Sequence, residues 1–431
     1  MAARVFATLL IACALSGSLI AWAAPRVGGG VANAPRVLDK APAMAAVRGV
    51  RGSAPLAGFD PLVHRREGAM FVADLADGKR AELTLDVGLQ EHIGRVLEQY
   101  GVPYAAAVAI EPNSGRVLAY VSHSSANPNA GDLARDPSPP AASVFKLVTS
   151  AALIETGAAL PDTRVCYGGG ASRLALSDIE DNPARDSACS TLSDAVAHST
   201  NAVIAKLADR KLNRALLERY AGAFGFGQVL PFDAPTRLSP AEVPDDRLER
   251  ARTAAGFWHM HMSPLHAALI GATIANGGAM PRATMVERVL DPGGKVIDTR
   301  EASVFRNVIS RATAKTVGGM MLGTVSHGTA HSAFYDPKGL PFLPGIAVAG
   351  KTGSLSSERP YRAYSWWVGY APESAPTIAV AVLIVNTPKW RIKAGYLARE
   401  ALRYYLVERK APPATRPGVS APGRHAAVST E

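Results

Sequence analysis

Apolar strand segments stand at both ends of this chain with a long helical stretch between them, and that spacing constrains the fold more than any other feature. Ala105–Ile110 and Val117–Val121 are short apolar runs joined by Glu111-Pro-Asn-Ser-Gly-Arg116, a hairpin turn with glycine at the tight position. Three more apolar runs, 346–354, 363–370 and 377–386, come near the C-terminus. From 143 to about 280 the pattern is helical, broken by Gly- and Pro-rich loops at 161–187 and 225–247. A second hairpin is expected around Asp291-Pro-Gly-Gly294 and a further helix over Arg311–Val325. The expectation is a mixed α/β fold: a largely antiparallel sheet built from distant segments and packed by helices, with an all-helical lobe beside it. The cleft between lobe and sheet is the place to look for chemistry. An apolar content of 48% is enough to fill such a core, and 19% charged residues argue against global disorder.

The ends of the chain read differently. Arg4 precedes Val5–Ala24, which carry no charge, and Ala21-Trp22-Ala23 offers a small-x-small cleavage site. Residues 1–24 are therefore expected to be a signal peptide or, since the run is long enough to span a bilayer, a membrane anchor. Leu10-Ile11-Ala12-Cys13 resembles a lipoprotein box, although the apolar run continues well past the cysteine. Residues 25–80, rich in Ala, Gly, Pro and Arg, read as a tether or small N-terminal element. Regular structure is expected from Leu83, where a helix at 88–100 sets Leu89, Ile93 and Leu97 on one face. The main domain is assigned to 81–410 and a flexible tail to 411–431.

The net charge of +10 sits in the flanks, and no basic stripe with interleaved aromatics marks the central segment, so no nucleic-acid partner is expected. Export places the chain in a periplasmic or other extracytoplasmic compartment. It leaves Cys166 and Cys189 as the cysteines of the mature chain, expected to form a disulfide, with two free buried thiols as the alternative.

Three short motifs follow one another in order. In Ser143-Val144-Phe145-Lys146 a helix is expected to begin just before Ser143, because Pro139-Pro140 cannot lie inside one. The three-residue spacing then brings hydroxyl and ammonium to one helical face. Serine is a weak nucleophile until a base takes its proton, and Lys146 can be that base only if burial and a nearby cation lower its pKa. In Ser199-Thr200-Asn201 a hydroxyl suited to proton relay stands beside an amide suited to holding a peptide backbone. Lys351-Thr352-Gly353-Ser354 sets one cation and two hydroxyls on a strand, a receptor for a carboxylate, and a strand glycine often marks close approach by a ligand. Each motif alone is weak; their order is the signal.

That order resembles the transpeptidase domain of the penicillin-binding proteins, which share these motifs with β-lactamases. Thr84–Gln90, Ala109–Ser122, Phe224–Gly227, Met262–His266 with Ile274–Gly278, Gly328-Thr-Ala330 and Trp366–Pro372 are similar to further landmarks of that domain, so the likeness runs over roughly 81–405. The resemblance implies a serine D,D-transpeptidase that forms an acyl-enzyme with D-Ala-D-Ala stem peptides and binds β-lactams covalently, without cofactor or metal. Ser143 would be the nucleophile, Lys146 its base, Ser199 a proton shuttle and Asn201 a ligand for the stem peptide. Lys351, counted with the catalytic residues, would join Thr352, Gly353 and Ser354 in holding the terminal carboxylate. The backbone N–H groups of Ser143 and Ser354 would form the oxyanion hole. A D,D-carboxypeptidase, in which water resolves the acyl-enzyme, is the nearest alternative. A serine β-lactamase fits less well: its deacylating Glu-x-x-Leu-Asn is missing, and Asp209-Arg-Lys-Leu-Asn213 comes too early. A non-catalytic β-lactam sensor or wall-binding module is disfavoured by the intact motifs. Segment 25–80 is too short for a glycosyltransferase domain or a long pedestal, so the protein partners in wall synthesis stay open. The histidine pairs His259/His261 and His327/His331 lack an accompanying metal motif, and Trp366 and Trp367 read as strand residues packing one on each face.

Overall fold

The computed structural model describes residues 56–409 except Ser172. The expected signal or anchor segment 1–24, most of the 25–80 segment and the tail 411–431 lie outside the described residues. Among those described, no helix is long and apolar enough to cross a membrane.

The distant apolar runs do form one sheet. Its five antiparallel strands run, in spatial order, Ala349–Glu358, Tyr361–Ala371, Ile378–Asn386, Tyr104–Ile110 and Val117–His123. The C-terminal strand Ile378–Asn386 is buried at every position and pairs directly with Tyr104–Ile110. The sheet can therefore close only after both ends of the domain are available.

Alternation splits the sheet's side chains between two cores. On one face Ala105, Ala107, Ala109, Trp367, Val380 and Val382 pack against the amphipathic helices Val87–Gln99 and Ala394–Arg403. Asp86 caps the first of these through the N–H of Leu89 at 2.9 Å. The opposite face, with Ala106, Val108, Trp366, Val368 and Leu383, packs against the helical lobe. At the centre of that lobe lies Pro264–Ala275, buried along all but its last residue and capped by Ser263. Trp366 and Trp367 do take opposite faces.

One expectation is corrected. Regular structure begins at Arg65 rather than Leu83, because Arg65–Glu67, Met70–Asp74 and Arg80–Leu83 form a small five-stranded sheet with Val286–Leu290 and Val296–Thr299. The partner of Arg80–Leu83 stands some two hundred residues away in the Asp291 hairpin, and short strands paired at such a distance leave little periodicity to read.

A second small element also leaves no mark in the sequence pattern. Arg164–Tyr167 and Ala188–Thr191 pair as a two-stranded ribbon that sets Cys166 directly opposite Cys189, and the two are disulfide-bonded.

Candidate active site

Ser143 is placed by a constricted turn. The helix does not begin in α geometry ahead of it: Ala142–Phe145 is a single 3₁₀ turn that passes into the α-helix Lys146–Glu155. Ala142 enters the turn at φ +49°, and Ser199 of the second motif sits at φ +58°. Non-glycine residues rarely adopt this conformation, and it persists only where the surroundings fix it. Here Pro140, just before the turn, accepts a 2.9 Å hydrogen bond from Nε1 of Trp366, which ties the Ser143 turn to the sheet's second strand, Tyr361–Ala371.

Ser199 falls between the helices Leu192–Ala197 and Asn201–Lys211, and Asn201 is the first residue of the latter. Lys351 lies in Ala349–Glu358, at the edge of the five-stranded sheet, where alternate backbone groups have no strand partner. Gly353 has a local cause. A Cβ built on it would lie 3.2 Å from Val144 Cγ2, 3.3 Å from Ala142 Cβ and 3.3 Å from Trp366 Cβ. The close approach expected at a strand glycine is thus made here by the protein's own serine turn. Only a residue without a side chain lets the strand lie against that turn unstrained.

These three elements bring the motif side chains into a network of two hydrogen-bonded sets, one around each lysine. Lys146 Nζ donates to Ser143 Oγ at 2.7 Å, to Asn201 Oδ1 at 2.6 Å and to the carbonyl of Ala255 at 2.5 Å. Lys351 Nζ donates to Ser199 Oγ at 3.0 Å and to the carbonyl of Thr352 at 2.9 Å. Both lysines are fully buried, and neither faces a carboxylate within this network. Burial, with the nearby Lys351 cation, pushes the Lys146 ammonium well below its ordinary pKa. Burial brings Lys351 down to about 7. A neutral amine 2.7 Å from a hydroxyl can accept its proton, and the Ser199 hydroxyl lies 3.0 Å from the second lysine.

Ser143, Asn201 and Ser354 line a cleft of about 850 Å³, with Lys146 and Lys351 beneath its floor. One wall comes from Ala171, Arg173 and Leu174, another from Gly256–His259, and the third from the outer half of the Lys351 strand.

A family model described as the penicillin binding protein transpeptidase domain matches residues 105–404. The chain belongs to this family. The penicillin-binding transpeptidase domain of this chain is 27% identical to the peptidoglycan D,D-transpeptidase PbpA of Mycobacterium tuberculosis, over 76% of this chain and 73% of that protein. The D,D-transpeptidase domain of a peptidoglycan glycosyltransferase from Eggerthella lenta superposes with a TM-score of 0.62 at 25% identity, covering 76% of this chain and 82% of that one. An imipenem acyl-enzyme complex of penicillin-binding protein A from M. tuberculosis superposes with a TM-score of 0.61 at 25% identity, covering 76% and 79%.

Three further residues enter the site. Thr329 Oγ1 lies 2.5 Å from Thr352 Oγ1; the Gly-Thr-Ala sequence around it marks the family but gives no hint of this contact. The carbonyls of Ala255 and Ala171 bind Lys146 and Asn201 respectively, and a backbone group leaves no signal in the sequence. The histidines serve local contacts. His259 bonds Glu249 at 2.8 Å, His261 the carbonyl of Ser138 at 2.7 Å and His327 the hydroxyl of Ser326 at 2.9 Å, while His331 stacks on Tyr335. Among the described residues no three His, Cys, Asp or Glu side chains are placed to share a metal ion.

Proposed function

We propose that this chain is an exported peptidoglycan D,D-transpeptidase. It would acylate Ser143 with the stem peptide of one strand and pass the acyl group to an amine of another. The observation that carries this reading is Lys146: buried, lowered in pKa, and 2.7 Å from the Ser143 hydroxyl.

The Ser143 proton moves to Lys146 Nζ as Oγ attacks the carbonyl carbon of the penultimate D-alanine. The tetrahedral oxyanion faces the N–H groups of Ser143 and Ser354. The proton then reaches the departing D-alanine nitrogen by way of Ser199, the C–N bond breaks, and the ester remains on Ser143. An acceptor amine attacks that ester, gives up a proton along the same path and restores the serine. Asn201 holds the donor backbone, while Lys351, Thr352, Gly353 and Ser354 hold the carboxylate that penicillins also present. The disulfide and the family both support an extracytoplasmic domain, with residues 1–24 as its leader or anchor.

A fluorescent penicillin tests the acyl-enzyme. It should label the protein one to one, and Ser143→Ala should abolish labelling. Full labelling of the variant would refute the assignment. Incubation with a D-Ala-D-Ala stem peptide and an amine acceptor should give cross-linked product. Hydrolysed peptide alone would make the enzyme a D,D-carboxypeptidase, and rapid drug turnover would make it a β-lactamase.

A further inference from the structure

Asn201 is gripped from both sides. Its Oδ1 accepts from Lys146, and its Nδ2 donates at 2.6 Å to the carbonyl of Ala171, which lies within the segment closed by the Cys166–Cys189 disulfide. Several further contacts hold this segment against the helices Asn201–Lys211 and Arg247–Ala254. Lys206 of the first helix is fully buried, and its Nζ reaches the carbonyl of Cys166 at 2.9 Å, Asp186 at 2.5 Å and Asp181 at 3.4 Å. Leu174 and Ile179 pack on Ala202, Ala205, Ala251 and Ala255 as a small core of their own. Nε of Arg252 donates to the carbonyl of Leu174 at 3.0 Å. Gly170, at φ +77°, lies so close that a Cβ would stand 3.1 Å from Ala202 Cβ and 2.9 Å from Leu174 Cδ2.

We infer that the disulfide-closed segment 166–189 is a positioning element for the acylation step, with Lys206 and the Cys166–Cys189 bridge as its positioning residues. The inference rests on the acyl-enzyme reading above. A primary amide has one acceptor oxygen and two donor hydrogens. With one hydrogen fixed on Ala171, the oxygen must face Lys146 and the second hydrogen is left for the donor peptide. Turned round, the amide would offer a donor to the lysine lone pair, the pair that has to take the Ser143 proton. Segment 166–189 also supplies Ala171, Arg173 and Leu174 to the cleft wall, so the element that orients Asn201 faces the substrate as well.

Lys206→Met and the double variant Cys166→Ser/Cys189→Ser test this, together with wild-type protein treated with dithiothreitol, which can reach the exposed Cys189. Active sites are first counted by exhaustive penicillin labelling, and the acylation rate constant per counted site is then followed against pH. Each of the three is expected to acylate about tenfold more slowly per site. The acid limb of the profile should move to lower pH, since losing the Asn201 acceptor disfavours the Lys146 ammonium. A purely structural role would lower only the number of active sites. A wild-type rate constant and an unmoved limb in the counted sites overturn the inference. Should Lys206→Met not fold, the serine pair and the reduced wild type decide the question by the same two readouts. Failure of wild-type protein to be labelled at all would instead overturn the acyl-enzyme reading.

Discussion

Lys351 has no exposed surface and no carboxylate partner in the site, so its charge is a cost to the folded state. Its folded pKa of about 7 lies well below that of an unfolded lysine. Below pH 7 both states carry the proton and the full penalty stands. Above it the unfolded chain binds more protons, so this residue's contribution to stability improves as pH rises from about 7 to about 10. Lys351→Met should accordingly unfold at higher denaturant than wild type at pH 6, by about 1–4 kcal/mol, with the gap narrowing at pH 9. Urea melts at the two pH values measure it, and a variant less stable at pH 6 would contradict the argument. The neighbouring hydroxyl allows a sharper test of ligand reading. Thr352→Val keeps the volume and removes one donor to a carboxylate, which should slow acylation by about one to two powers of ten for roughly 1.5–3 kcal/mol. A donor peptide with an amidated terminus should be slow with wild-type enzyme and almost indifferent to the valine. Equal acylation by amidated and free-acid donors would show that the third motif does not read a carboxylate.

Among the elements, the strand Ala349–Glu358 and the turn Ala142–Phe145 touch through Gly353. Gly353→Ala must push these two apart by a few tenths of an ångström, because Val144, Ala142 and Trp366 already stand at 3.2–3.3 Å. Small displacements of reacting groups are costly. Acylation by penicillin should fall about tenfold, and stability by about 1–3 kcal/mol for the overpacked contact; stopped-flow labelling beside a urea melt separates the two. An unchanged rate would mean the strand can yield without disturbing Ser143. The same pair of elements shows what is legible in the sequence. Lys351 and Ser143 are legible because side-chain chemistry at fixed spacing is written there, and the strands because long apolar runs are. The 3₁₀ geometry at Ser143 and the left-handed Ala142 and Ser199 are not, since they are imposed by neighbours distant in sequence. In the sequence Lys206 is one more helix cation; its burial depends on a ribbon, Arg164–Tyr167 with Ala188–Thr191, whose first strand lies inside a stretch legible only as loop and whose second follows directly after it.

At the scale of the whole molecule, the helical lobe, the small sheet and the segment at Leu56 meet at Asp233, which is not among the residues lining the cleft. Its Oδ2 accepts from Thr284 Oγ1 at 2.8 Å, Met285 N at 2.7 Å and Val286 N at 2.9 Å, and its carbonyl accepts from Leu56 N at 2.8 Å. Burial raises its pKa while these donors work against that rise. Asp233→Ala leaves the buried N–H groups of Met285 and Val286 without their acceptor, while Thr284 Oγ1 keeps the carbonyl of Val286 at 2.9 Å. At about 1–3 kcal/mol for each unsatisfied group, and less than additively because they share one oxygen, the variant should lose about 3–5 kcal/mol of stability. None of these residues lines the cleft, and Trp366 still holds the Ser143 turn to the main sheet through Pro140. The surviving folded molecules should therefore label with penicillin at the wild-type rate per active site even as the melting midpoint falls. That outcome would separate the junction that holds the fold together from the three elements that hold the chemistry. A slower rate per site would instead mean that the geometry at Ser143 depends on how lobe and small sheet are joined, and that the cleft is tuned from outside its own lining.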